Sequence, residues 1–213
     1  MKFVAWMAGA LARWDGAAPA PLPDATPLIL VHGVFSSGAD MARIANLLRK
    51  TGRPVFTPSL KPANGDATLE TLAAQLAAFA DREVSGRKFD LVGFSMGGLV
   101  SRYYVQRLGG IDRVGRFVTL ATPHNGTVMA RLFRGAGHRQ MCPGSDFLRD
   151  LDGDVDMLKR VGFTSLYTPL DTIIVPAKSS EQFAAKNIKV WGIMHPSFVL
   201  EKRCINAVAE YLK

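Results

Sequence analysis

An α/β fold with about six mostly parallel strands, helices on both faces and therefore three layers is the architecture this sequence predicts. Three observations carry the prediction. From Pro27 onward, short runs that are apolar throughout alternate with amphipathic stretches at helical spacing, which is the pattern of buried parallel strands joined by crossover helices. Glycine or proline stands near most boundaries between the two kinds of run. The chain has 213 residues, 48% of them apolar, and two cysteines, enough for one domain to bury a core without disulfide staples.

Residues 1–27 read as a peripheral segment. Lys2 precedes an apolar run from Phe3 to Ala12, which Arg13, Trp14 and Asp15 interrupt before a Pro-rich link from Pro19 to Pro27. The run is too short for a secretory leader, or for the roughly 18 apolar residues of a membrane span, so a cytoplasmic location is favoured over export. The main domain then occupies residues 28–213. Leu28 to Val31 makes a first strand ended by His32-Gly33, and Asp40 to Lys50 a helix with Met41, Ile44, Ala45, Leu47 and Leu48 on one side. Val55 to Thr57 is a second strand, Ala67 to Val84 an Ala-rich helix, and Phe89 to Phe94 a third strand. Met96 to Leu108 is a helix closed by Gly109-Gly110. Arg116 to Ala121, Ser165 to Leu170 and Ile188 to Ile193 are the remaining strands, and Val199 to Leu212 is the closing helix. The connection from about 123 to 162 is longer than loops of this kind usually are. It is expected to hold a short helix with Val128, Met129, Leu132 and Phe133 apolar, and to act as a small lid.

Lys and Arg exceed Asp and Glu by 26 to 18, a net charge of +8, which first raises anionic partners. The charge is dispersed. No basic run, no basic stripe interleaved with aromatics and no zinc-ligand spacing is present, so nucleic acid is not expected as a partner. The acidic stretch Asp150 to Asp156 suggests a calcium loop, but its glycine, Gly153, falls too early and Val161 stands where the closing glutamate belongs. Neither a metal nor a cofactor is expected.

The chemistry-bearing motif is Gly93-Phe94-Ser95-Met96-Gly97, placed where a strand passes into a helix. Such a turn pushes the serine hydroxyl out of the sheet, and glycines two residues to either side are needed because side chains there would strike the neighbouring backbone. A serine becomes a nucleophile when an imidazole accepts its proton and a carboxylate fixes the imidazole. His195, after the last strand, and Asp171, after the strand before it, follow Ser95 in the order serine, acid, histidine. Asp171 can also be read as a turn-forming aspartate. His32, His124 and His138 lie elsewhere. Backbone N–H groups of Met96, behind the nucleophile, and of Val34, in the turn after the first strand, are placed to hold an oxyanion.

With these residues in view, the chain from Pro27 to Leu212 resembles the bacterial lipase and esterase families of the α/β-hydrolase superfamily. Leu28 to Gly33 is similar to their His-Gly oxyanion turn, Gly93 to Gly98 to their nucleophile elbow, and Thr122-Pro123-His124-Asn125-Gly126 to the segment after their sixth strand, where the insertion of this chain begins. The resemblance implies hydrolysis of carboxylic esters through an acyl-enzyme, by Ser95, Asp171 and His195, with an ester or lipid as substrate. It departs at Phe94, where many relatives carry histidine, and at Met194, where many carry glycine; these two and Phe35 are the expected substrate contacts. An acyltransferase, thioesterase or amidase would use the same site. A class-different alternative is a degenerate lipid-binding module, docking through Phe3 to Trp14 and the insertion, and peripheral contact with a lipid interface is a further expectation.

Overall fold

The computed structural model describes residues 24–212. The predicted N-terminal segment and most of the Pro-rich link therefore lie outside the described residues. Six strands form one sheet: β1 Leu28–Val31, β2 Val55–Phe56, β3 Phe89–Phe94, β4 Val114–Leu120, β5 Gly162–Tyr167 and β6 Lys186–Lys189. Their order is β2-β1-β3-β4-β5-β6 and every pairing is parallel, so each connection is a crossover and both faces need cover.

The strands supply that cover by alternation. Ile29, Val31, Phe89, Leu91, Phe117 and Phe163 point to one face, where α2 (Leu69–Glu83) and α3 (Met96–Arg107) lie. Leu28, Leu30, Val92, Val118, Leu120 and Leu166 point to the other, against α1 (Ala42–Arg49) and the C-terminal helices. The two cysteines, which are free, fall on opposite sides of the sheet: Cys142 packs against the first cluster and Cys204 belongs to the second. A bridge between the insertion and the last helix is ruled out by that placement. Among the described residues no helix is long and apolar enough to cross a membrane.

Most departures from the predicted elements are at the C-terminal edge. β5 begins at Gly162, opposite Arg116, and stops at Tyr167 instead of running from Ser165 to Leu170. β6 covers Lys186–Lys189, shifted back from Ile188–Ile193, because an exposed edge strand is polar and escapes a search for apolar runs. The closing helix is broken in two. Helices Ser197–Leu200 and Lys202–Glu210 flank Glu201, whose backbone is extended at φ −88 and ψ 131.

The long connection after β4 has two halves. A 3-10 turn at Val128–Leu132 and a short helix, α4 (Ala136–Gln140), border the carboxyl ends of the strands. The second half, α5 (Asp146–Asp152) and a 3-10 turn at Val155–Arg160, buries Phe147, Leu148, Leu151 and Leu158 in the core beside α3. It serves as an ordinary crossover. The acidic stretch has its own explanation: Arg102, fully buried on α3, binds Asp152 at 2.7 Å and the Leu151 carbonyl at 2.8 Å, while Arg107 holds Asp150 and Asp154 at 3.0 and 2.7 Å. Gln106 adds bonds to Leu151 and Asp154. Among the described residues no carboxylate, histidine and cysteine cluster fit for a metal occurs.

Removing the buried guanidinium strips several hydrogen bonds and leaves a hole. Arg102→Ala should therefore lower stability by about 2–4 kcal/mol, read as a fall in the urea midpoint.

Candidate active site

The site is assembled at the carboxyl ends of β1, β3, β5 and β6. Ser95 follows β3 directly and has φ 54 and ψ −124, a conformation that costs a non-glycine residue on the order of 1–3 kcal/mol and needs its surroundings to enforce it. They do so through contact. A Cβ built on Gly93 would lie 2.5 Å from the Gly98 Cα, one on Gly97 2.4 Å from the His32 carbonyl oxygen, and one on Gly98 1.9 Å from Thr122 Oγ1. β3, β1 and α3 thus meet backbone to backbone, and the turn between them has no slack. Ser95 N–H is tied to the Leu120 carbonyl at 2.8 Å.

Asp171 and His195 are brought together from loops after β5 and β6. His195 Nδ1 lies 2.8 Å from Asp171 Oδ2, and both residues are buried. The carboxylate can only accept, so Nδ1 carries the proton and donates it there, which leaves the Nε2 lone pair as the basic position. The other carboxylate oxygen, Oδ1, accepts from the N–H groups of Ile173 and Ile174 at 2.9 and 2.8 Å. Asp171 thus bonds in two directions at once, through Oδ1 to its own turn and through Oδ2 to the His195 ring. Thr168 steadies the same corner by donating from Oγ1 to the Ile193 carbonyl at 3.0 Å.

Val34 sits in a turn that His32 fixes. Its Nδ1–H donates to the Gly33 carbonyl at 2.9 Å, and Nε2 accepts from Leu60 N–H at 2.9 Å. Burial lowers the His32 pKa, consistent with this neutral ring. Phe35 N–H donates to the Ala63 carbonyl at 2.7 Å and Phe35 has φ 55. Among the described residues the N–H groups of Val34 and Met96 have no hydrogen-bond partner, nor does the Ser95 hydroxyl. A position 3.1 Å from the Ser95 Cβ, where a Gly33 Cβ would stand, shows how close the first turn comes to the serine.

The three expected substrate contacts separate into two kinds. Phe94 is buried with its ring centroid 5.0 Å from that of His195, so it packs the base. Phe35 and Met194 are about half exposed on the rim. The sequence reading set His124 apart from the site and assigned nothing to Thr168, Ile173 or Ile174. His124 is fully buried, bonds Thr119 Oγ1 through Nε2 at 2.9 Å, and has no partner for Nδ1 among the described residues; burial, reinforced by nearby Arg102, holds its pKa well below 6.5. The Thr-Pro-His segment was a usable signal for it.

A parallel sheet in this order, with a serine elbow after β3 and a buried aspartate–histidine pair beyond it, defines an α/β-hydrolase. A family model described as palmitoyl protein thioesterase matches residues 27–151, more than half of the chain, and the chain belongs to that family. Palmitoyl-protein thioesterase 3 of Dictyostelium discoideum is 26% identical over 106 residues, 47% of this chain and 36% of that protein. The chain thus spans about a third of that curated relative's length. Among solved structures, Bacillus licheniformis lipase BlEst2 in its mature form is similar with a TM-score of 0.77 and 20% identity, covering 93% of this chain and 96% of that one. Aspergillus fumigatus lipase B gives 0.68 and 16% identity, over 91% and 57%. The fold is that of lipases, esterases and related thioesterases.

Two measurements test the local physics. Gly98→Ala forces a methyl into Thr122 and should abolish activity with a large loss of stability, whereas an alanine at exposed Gly86, where a Cβ meets nothing within 4 Å, should do far less harm despite its φ of +66. His32 and His124 both have pKa values below 6.5 in the folded state, so the unfolded chain takes up protons first as pH falls. Stability is then complete above about 6.5 and is lost below it. Urea midpoints should drop from about pH 7 to about pH 5, and His124→Gln should shrink that drop.

Proposed function

We propose that this protein is a serine hydrolase that cleaves carboxylic esters through an acyl-enzyme. Ser95 Oγ attacks the acyl carbonyl, His195 Nε2 takes the hydroxyl proton, and Asp171 holds the ring and stabilises the imidazolium. The N–H groups of Val34 and Met96 receive the oxyanion, Met96 from the first turn of α3, where the helix dipole also favours negative charge. His195 then protonates the leaving group. Water, deprotonated by the same histidine, attacks the acyl-enzyme and frees the acid. The observation that carries this reading is the His195 to Asp171 pair at 2.8 Å, both buried, together with the strained backbone at Ser95.

A second reading concerns the leaving group. The family match favours an acyl thioester, for which the acyl-enzyme and its breakdown are the same and only the departing atom, sulfur in place of oxygen, changes. A thiolate leaves more readily than an alkoxide and asks less of the acid step. Transfer to an alcohol in place of water would likewise share the first half of the reaction.

The test pairs p-nitrophenyl esters with acyl thioesters over a series of chain lengths. Ser95→Ala should reduce kcat/KM on both by roughly four orders of magnitude or more, with the unfolding transition retained. A serine-directed phosphonate should add mass at Ser95 alone. Turnover that survives in Ser95→Ala would overturn the assignment, and the ratio of thioester to oxygen-ester rates decides between the two leaving groups.

A further inference from the structure

The rim of the site exposes more apolar side chain than ester chemistry calls for. Leu132 is 72% exposed, Met194 54%, Phe133 48% and Phe35 47%. Leu132 and Phe133 are neighbours in sequence and Phe133 meets Phe35, while Met194 adjoins His195. Phe35 and Phe133 have ring centroids 5.7 Å apart. Thr127, which opens the turn carrying Leu132, donates to the Ile173 carbonyl at 2.8 Å, and Ile173 N–H holds Asp171, which in turn holds His195 beside Met194. Contiguous exposed apolar surface with a polar border marks an interaction site.

The border here is cationic. Leu132 and Phe133 are bracketed in sequence by Arg131 and Arg134, both exposed, and neither has a hydrogen bond or ion pair among the described residues. The nearest carboxylates on elements that this loop packs against are bonded to side-chain amides and to neither arginine: Asp66 to Asn64 at 2.5 Å, and Glu70 to Gln140 at 2.7 and 2.6 Å. Elsewhere most arginines with a nearby acid use it, as Arg102, Arg107 and Arg149 do. Two apolar side chains projecting between two unneutralised cations match a layer that is anionic at its surface and apolar just beneath. An acidic protein face would satisfy the arginines alone.

We propose that Arg131–Arg134 docks the protein on an anionic phospholipid surface, with Leu132 and Phe133 entering the boundary of the acyl chains and the arginines meeting headgroup phosphates. Docking there would hold the mouth of the site against the source of an acyl substrate. The binding itself needs no turnover, so it stands or falls apart from the hydrolase reading.

Cosedimentation of the full chain with vesicles tests it, using phosphatidylcholine alone and phosphatidylcholine with added phosphatidylserine. The chain should partition onto the anionic vesicles and not onto the neutral ones. Arg131→Gln with Arg134→Gln should weaken partitioning by about thirty-fold, from roughly 1 kcal/mol for each basic residue at a membrane surface, and Leu132→Ser should weaken it further. The control pair Arg87→Gln with Lys88→Gln removes equal charge from the exposed turn before β3, at the amino edge of the sheet and so at the end away from the site, and should leave partitioning within about two-fold. All these variants should cleave a soluble short-chain ester like the parent. Absence of binding to the anionic vesicles, equal binding to neutral ones, or an equal loss in the control pair would overturn the proposal. Cleavage of the ester without vesicle binding removes the docking alone, and vesicle binding without cleavage keeps the docking and removes the hydrolase reading.

Discussion

The contact between β3 and α3 sets the geometry on which the rest of the site depends. Gly93 touches Gly98, Gly97 touches the end of β1, and Gly98 touches Thr122 at the end of β4. Because none of the three glycines has room for a side chain, the serine between them has one place to go, above the carboxyl edge of the sheet. A strained residue is normally a weak point. Here the strain is held by packing on three sides, and the fixed position of Ser95 is what its neighbours are arranged around.

The same economy appears in the polar groups. Asp171 uses one oxygen for its turn and the other for His195, so orienting the base and closing the loop are a single act. His32 spends both ring nitrogens on backbone and thereby shapes the turn that presents Val34. The polar groups left over are the ones the proposed reaction would use: the Ser95 hydroxyl and the N–H groups of Val34 and Met96. Preorganised dipoles of this kind act without having to reorient as charge develops, which is where most of the electrostatic advantage of such sites arises. Positive φ at Phe35, Ser95 and Ala121 places the three non-glycine residues of that kind among the described residues beyond the ends of β1, β3 and β4, along the same edge.

The strands β1 and β3 and the helices α2 and α3 were legible in the sequence to within a few residues, because each is either apolar throughout or apolar on one stripe. The elbow was legible because its glycines are forced by contact, and the order of Ser95, Asp171 and His195 followed the order of strand ends. What was not legible has physical causes. β6 is polar because it lies at an edge, β5 began earlier because its pairing with Arg116 starts at Gly162, and Glu201 breaks the last helix with no proline or glycine to announce it. The second half of the long connection looked like part of a lid, since nothing in Asp150 to Asp156 says that Arg102 and Arg107, some fifty residues earlier, will draw it into the core. Salt bridges between distant segments leave no local pattern.

The placement of the two thiols bears on how the fold meets oxidants. Cys142 and Cys204 are separated by the full thickness of the sheet, and a disulfide requires Cα atoms no more than about 7 Å apart, so no oxidant can join them while the sheet exists. Cys204 is further silenced by burial, which pushes its thiol up to about 11 and keeps it from ionising at neutral pH. The folded chain therefore has no internal disulfide to gain or lose when its surroundings change between reducing and oxidising.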